Sequence, residues 1–314
     1  MGTGATTATR PVDDRLPLRP RWPTDMSANG LDDAIYAASK ELRGRGAPEP
    51  DVLFLMATGV DLLGTSYEVT WRLPLESVAG APRCWRGLTL LAAETRTTCF
   101  WFLEDAPGDP QTGNAPAQDE LPWARGFPCW LAACSGATVC VHTSAGYALP
   151  ADDGVVRAGG LALVRDHINL SGGTPLFGLG ESRLGPIFPD QTRVHHEGLR
   201  LLALRHGERL GIPLSEGVAA CTAGPSIATR AERAFYARAG AHIAVQGLAA
   251  PLLAAAHAGL SCLALVAVID ADGETALESQ LAAADSLAPA LQDLLFALGP
   301  ELGALARELR EDPL

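Results

Sequence analysis

Short apolar runs alternate along this chain with stretches whose apolar positions recur every three or four residues. The first run, Val52 to Met56, is continuous rather than alternating and ends at Ala57-Thr58-Gly59, which is how a central strand buried on both faces reads. Further runs at Leu88 to Ala93, Thr98 to Leu103, Ala137 to His142, Gly160 to Val164, Val218 to Thr222, Ala241 to Val245 and Cys262 to Ile269 predict more strands. Helical patterns fall over 30–44, 120–134, 192–210, 228–239, 249–258 and 274–310, with Ser27 and Asn29 as candidate caps of the first. Strands interleaved with helices predict an α/β fold, a mixed or mostly parallel sheet with helices on its faces. Without an internal repeat or a composition break, residues 28–314 are expected to form a single domain, preceded by an arm over 1–27 rich in Pro and Arg. Glu104 to Glu120 reads as one acidic surface loop. Ala249 to Val268 is apolar but broken by Pro251, His257, Gly259 and Ser261, so it reads as a helix followed by a strand rather than a membrane span.

Composition narrows the classes of function. A chain of 314 residues with 47% hydrophobic side chains can bury a substantial core. With 36 acidic against 24 basic residues the net charge of −12 has no field to draw nucleic acid or an anionic membrane, and neither is expected as a partner. The seven cysteines, at 84, 99, 129, 134, 140, 221 and 262, sit mostly in apolar runs and show no C-x-x-C spacing. They read as buried thiols of a reducing cytosol, and no metal or organic cofactor is expected. The first 27 residues lack an apolar core of signal-peptide length, which favours a cytoplasmic protein.

Open α/β sheets bind ligands beyond the carboxyl ends of their strands, which directs attention to four segments. Ala57-Thr58-Gly59-Val60-Asp61 offers a hydroxyl and a glycine backbone to an anion. His142-Thr143-Ser144-Ala145-Gly146 reads as a second hydroxyl-rich turn at a strand end. A plain turn is the commoner reading of the first and an equal alternative for the second. Thr222 to Glu232 turns from a strand into a helix that can wall a pocket, and Asp270-Ala271-Asp272 places two carboxylates at i and i+2 after a strand, where a solvated strand end is the plainer alternative.

The run Val164-Arg165-Asp166-His167-Ile168-Asn169-Leu170, followed by Gly224-Pro225-Ser226 and Arg230-Ala231-Glu232, resembles the purine nucleoside phosphorylase and methylthioadenosine phosphorylase family over roughly residues 48–300. The resemblance implies one α/β domain whose mixed sheet curls into a distorted barrel, a homotrimer, and cleavage of a purine nucleoside by phosphate. It places Thr58, Thr143 and Ser144 at phosphate, and Ala145, Gly146, Ala228, Gln246, Gly247 and Leu248 around the nucleoside. Asp270 falls where the family contacts purine N7 and the 6-substituent; aspartate there implies a 6-aminopurine such as that of methylthioadenosine, and Asp272 completes the Asp-x-Asp of that branch. A protonated Asp270 would give its proton to the departing base, its pKa raised by burial or by Asp272. Phosphate enters as co-substrate, not as a cofactor.

Departures from the family pattern are chemically pointed. Where the family has a Gly-Arg-x-His segment gripping phosphate, this chain has Leu103-Glu104-Asp105-Ala106-Pro107. At about 4 Å and an effective dielectric near 20, exchanging a cation for an anion turns about 4 kcal/mol of attraction into as much repulsion. Arg96 or Arg125 is the candidate to restore the charge from another direction. Ala228 stands in place of a base-holding Glu, and Gly247 in place of a sugar-facing Met, implying a reshaped pocket. The alternatives are therefore a phosphate-independent enzyme on the same fold, acting on a nucleoside or another substrate, and a catalytically silent binding protein. His167 is expected at a strand end or a subunit contact; His195, His196 and His257 read as structural; His206 and His242 carry no signal.

Overall fold

The computed structural model describes residues 30–56, 67–105, 121–150, 154–224, 227–270 and 277–311. The expected arm, Thr58, residues 106–120 of the acidic loop, and Asp272 lie outside them, as do Ser27 and Asn29.

Strand β1 (Val52–Met56) is buried along its whole length and pairs in parallel with β4 (Cys99–Glu104) and β5 (Val139–Ala148). Beyond β4 the sheet is extended antiparallel by β3 (Thr89–Glu94) and β2 (Trp71–Pro74). On the other side β5 meets β8 (Ile243–Gln246), followed by β7 (Leu214–Thr222), β6 (Gly160–Leu170) and β9 (Ser261–Asp270). Strand β9 pairs back onto β5 in parallel, closing β5, β8, β7, β6 and β9 into a ring. The single mixed α/β domain and its barrel are thus as expected.

The alternation along β1 explains why helices cover both faces. Leu53 and Leu55 enter one core with α1 (Leu31–Gly44), α2 (Phe127–Ser135) and α5 (Ala249–His257), whereas Val52, Phe54 and Met56 enter a second with α3 (Glu197–Leu210) and α6 (Leu277–Glu311). Phe54 stacks on Phe102 across the strand pair at 5.0 Å between centroids. Each such fully buried side chain contributes about 1.5–3 kcal/mol, which is what holds the central strands dry. A third cluster joins Tyr147 and Ala244 to the region of α4 (Arg230–Arg238), whose start is fixed by a reciprocal capping box between Thr229 and Glu232. All seven cysteines are free, and all but Cys134 are buried.

Several boundaries differ from the sequence reading. His142-Thr143-Ser144-Ala145-Gly146 is not a turn but the interior of β5, which continues because β9 pairs along it and β8 joins its far end. The small residues there answer to packing: a Cβ on Gly146 would lie 2.7 Å from the Ala244 carbonyl oxygen and 2.9 Å from Val266 Cγ1. Gly146→Val is therefore expected to cost at least the ~1–3 kcal/mol of an overpacked core, read as a lowered thermal midpoint. His167 likewise lies inside β6 rather than at its end, beyond a register shift between Val164 and Asp166. Helix α3 begins only at Glu197 because the preceding backbone is used by β9: Cys262 N–H donates to Val194 O at 2.8 Å and His196 N–H to Cys262 O at 3.1 Å. Before α2 a tight helical turn, Pro122–Gly126, replaces the first part of the expected helix. Helix α1 starts from Gly30 at φ 71, without a side-chain cap. Strand β2 escaped prediction, being a short edge strand with little apolar signal of its own.

Candidate functional site

The neighbour of β5 changes partway along its length. Val139 to His142 pair with β1, Gly146 to Ala148 pair with β8, and among the described residues no strand pairs with that edge over Thr143 to Ala145. This is a topological switch point, where α/β sheets open a crevice for ligands. Its signature is Ala145, the one exposed position in an otherwise buried strand. Thr143 and Ser144 precede it and are buried. Gln246, Gly247 and Leu248 lie at the end of β8 beside the same gap, because Gly146 is in register with Val245.

A polar cluster backs the crevice. Asp105, directly after β4, accepts a hydrogen bond from His142 Nε2 through Oδ2 at 2.7 Å, and Arg125 Nη2 stands 3.6 Å from Oδ1. Burial alone would raise the Asp105 carboxyl, but the His142 hydrogen bond and the charges of His142 and Arg125 outweigh it and hold the group below its usual value. The Asp105 side chain is 7% exposed and that of Arg125 26%, so the cation faces outward of its counter-ion. Arg125 also lies 6.0 Å from the Trp85 ring centroid, and a Cβ on Gly247 would stand only 3.1 Å from its Nη2. Gly247, at φ 77, thus both takes a left-handed turn and leaves room for the guanidinium.

These distances correct the expected repulsion. Glu104 is exposed, while Asp105 is buried and neutralised, so the Glu-Asp pair does not present two bare charges to an anion. Of the two candidate cations, Arg125 reaches the site. Arg96 lies on the turn before β4, at the opposite end of that strand from Asp105. Sequence reasoning missed His142 as the partner of Asp105, since 37 residues separate them and only the parallel alignment of β4, β1 and β5 brings them together.

The remaining expected residues take defined places. Ala228 is set at the edge by Tyr147, whose hydroxyl oxygen accepts from Ala228 N–H at 3.3 Å. The Tyr147 ring is covered by Arg233, its guanidinium carbon 4.5 Å from the centroid. Gln246 reaches across to the turn after β7, where a Cβ on Gly224 would meet its Oε1 at 2.7 Å. Asp270 ends β9 in register with Tyr147. Outside the crevice, His257 accepts from Trp130 Nε1 at 3.0 Å, His196 caps α3, and His206 pairs with Glu301 at 2.8 Å. A cavity of about 930 Å³ opens at the other end of the sheet, around Thr138, Ser261 and Arg310, and includes none of the switch-point residues. Its size does not locate the chemistry: Arg310 there serves as a clamp on Pro50 O, Gly136 O and Asp51.

The fold is that of a mixed α/β protein with a closed strand barrel, and its candidate site is the gap where β1, β5 and β8 meet. Residues 132–298 match the model of the phosphorylase superfamily, and the chain belongs to that family. It is 34% identical over 115 residues to purine nucleoside phosphorylase 1 of Bacillus subtilis, covering 37% of this chain and 42% of that relative. To purine nucleoside phosphorylase 1 of Geobacillus stearothermophilus it is 24% identical over 233 residues, 74% of this chain and 82% of the relative. The fold is shared with isoform 2 of purine nucleoside phosphorylase from Schistosoma mansoni, solved with cytosine and ribose-1-phosphate, at a TM-score of 0.74 and 18% identity over 85% of this chain and 95% of that one. Among the described residues no helix is long and apolar enough to cross a membrane.

Proposed function

We propose that this protein is a pentosyltransferase that cleaves the N-glycosidic bond of a purine nucleoside with phosphate, and that the purine carries a 6-amino group. The observation that carries the reading is the break in β5 pairing at Ala145, with the Arg125 guanidinium beside Gly247 at its rim. Phosphate is assigned to the side of the crevice nearest the end of β1, with Thr58, Thr143 and Ser144 as hydroxyl donors and Arg125 as the cation. Nucleoside is assigned to the side of β8, between Ala145, Gly146, Ala228, Gln246, Gly247 and Leu248. The schistosome relative's ribose-1-phosphate supports the same pairing of sugar and anion.

In the reaction the C1′–N9 bond breaks as a phosphate oxygen bonds to C1′. Negative charge collects on the purine, and Asp270 passes its proton to N7, leaving a carboxylate and a neutral base. Asp272, two positions on, is assigned as the second carboxylate of this acid pair. The protein is read as a cytoplasmic homotrimer, for which sedimentation in solution is the check on assembly.

The test is purine release from methylthioadenosine, adenosine and inosine, with and without phosphate. Release that requires phosphate and favours the two aminopurines is the expected result. Release of equal rate without phosphate would replace phosphorolysis by hydrolysis. That second reading has its own support in the Asp105–His142 pair, a carboxylate-oriented imidazole whose Nδ1 is buried without a hydrogen-bond partner among the described residues. No release from any nucleoside overturns both and leaves a binding protein.

A further inference from the structure

We infer that Asp166, His167 and His195 form a binding site for one first-row divalent cation of the zinc class, at the far side of the barrel from the crevice residues on β5 and β8. The ligand atoms of these three residues lie within 4.8 Å of one another, and they form the one such group among the described residues. No sequence spacing announces it, because 28 residues separate His167 from His195.

The fold builds the site by a departure from regular pairing. Strand β6 pairs with β9 only over Gly160 to Leu163, then shifts register and continues against β7 alone. Into the place it vacates comes the segment before α3, with His195 bridging to Cys262 on β9. The His195 ring, 8% exposed, is thereby held against His167 on the diverging strand. His167 Nδ1 and His195 Nε2 stand 3.0 Å apart. With metal–nitrogen bonds of about 2.0–2.1 Å, two nitrogens at that spacing subtend an angle of roughly 95°, so a shared ion needs little movement of either ring.

Asp166, adjacent to His167 and exposed, supplies a third ligand of opposite charge, and solvent can fill the remaining position. Its Oδ1 already accepts from His167 N–H at 2.7 Å, which fixes the carboxylate beside the two rings. Two imidazoles and one carboxylate are a donor set for zinc, cobalt or nickel rather than for calcium or magnesium. Arg200, whose charge acts on His195, is engaged by Glu216 on β7, which offsets its repulsion of an incoming ion. Burial keeps both rings in the neutral, ligating form at neutral pH. A bound ion would pin β6 to the segment that leads into α3.

The experiment uses the full chain, stripped with a chelator and titrated with Co²⁺ alone, followed by visible absorption and by the thermal midpoint. One equivalent per chain with a d–d spectrum of nitrogen and oxygen ligation, and a midpoint that rises with metal, is the expected result. Asp166→Asn, at an exposed position, should weaken binding by more than about tenfold, the order seen for losing even an outer-shell partner, and His167→Asn should abolish it. Circular dichroism of each apo variant checks that it is folded. No uptake, uptake unchanged by Asp166→Asn and His167→Asn in folded protein, or a thiolate charge-transfer band placing the ion on cysteine would each overturn the assignment, leaving a simple hydrogen bond between two imidazoles. None of these readouts depends on the activity proposed above.

Discussion

Asp105→Ala is expected to destabilise the protein by about 3–5 kcal/mol, the scale for removing one partner of a buried charged pair. The wild-type carboxylate is enclosed between His142, whose side chain is 1% exposed, and Arg125. Its loss leaves an imidazole without its hydrogen bond and a partly buried guanidinium without its counter-ion. Asp105→Asn keeps an acceptor at the same place and should lose less, the difference reporting the charge alone. Urea denaturation of the three proteins measures this directly.

The pH dependence of stability has a definite sign. Asp105 is held below its usual value in the folded protein, so its contribution is complete above the unfolded carboxyl pKa of about 3.9 and is lost as pH falls below it. Wild type should therefore lose stability on acidification more steeply than Asp105→Ala. Parallel acid profiles, or a cost of Asp105→Ala below about 1 kcal/mol at neutral pH, would show a solvated carboxylate and return it to the role of an anion-repelling group at the phosphate site.

How much could be read from the chain differs sharply between fold and site. Val52 to Met56 announced a central strand because burial on both faces leaves a continuous apolar run. The run Val164 to Leu170, with Gly224-Pro225-Ser226 and Arg230-Ala231-Glu232 after it, carried the family resemblance. What local pattern could not convey was β5, whose residues 143–146 look like a turn because they are small and hydroxylated. They are small because β9 and β8 crowd them, a tertiary demand with no local signature. The meaning of Glu104-Asp105 was misjudged for the same reason. A charge read in isolation is a repulsion, whereas His142 and Arg125, brought in from β5 and the turn before α2, give Asp105 a hydrogen-bond partner and a counter-ion. The pairing of His167 with His195 is another product of topology, invisible in a one-dimensional pattern.

Asp270→Asn is expected to lower the rate of glycosidic cleavage by about 10²–10⁴, the usual worth of general acid catalysis, or roughly 3–5 kcal/mol of barrier. Asparagine keeps the hydrogen-bonding shape but has no proton to surrender to N7, so KM should move far less than kcat. A structural role for Asp270 at the end of β9 would also depress activity, and the choice of leaving group separates the two. An N7-methylated purine nucleoside already carries its positive charge and departs without a proton from the enzyme. The variant should therefore cleave it nearly as fast as wild type while failing on the unmethylated parent. Equal losses on both nucleosides would remove Asp270 from proton transfer and make it a residue that only shapes the pocket. A loss confined to the unmethylated substrate would tie the departure of the base to this carboxyl, and the fall in rate at high pH would then follow the ionisation of Asp270 rather than that of phosphate.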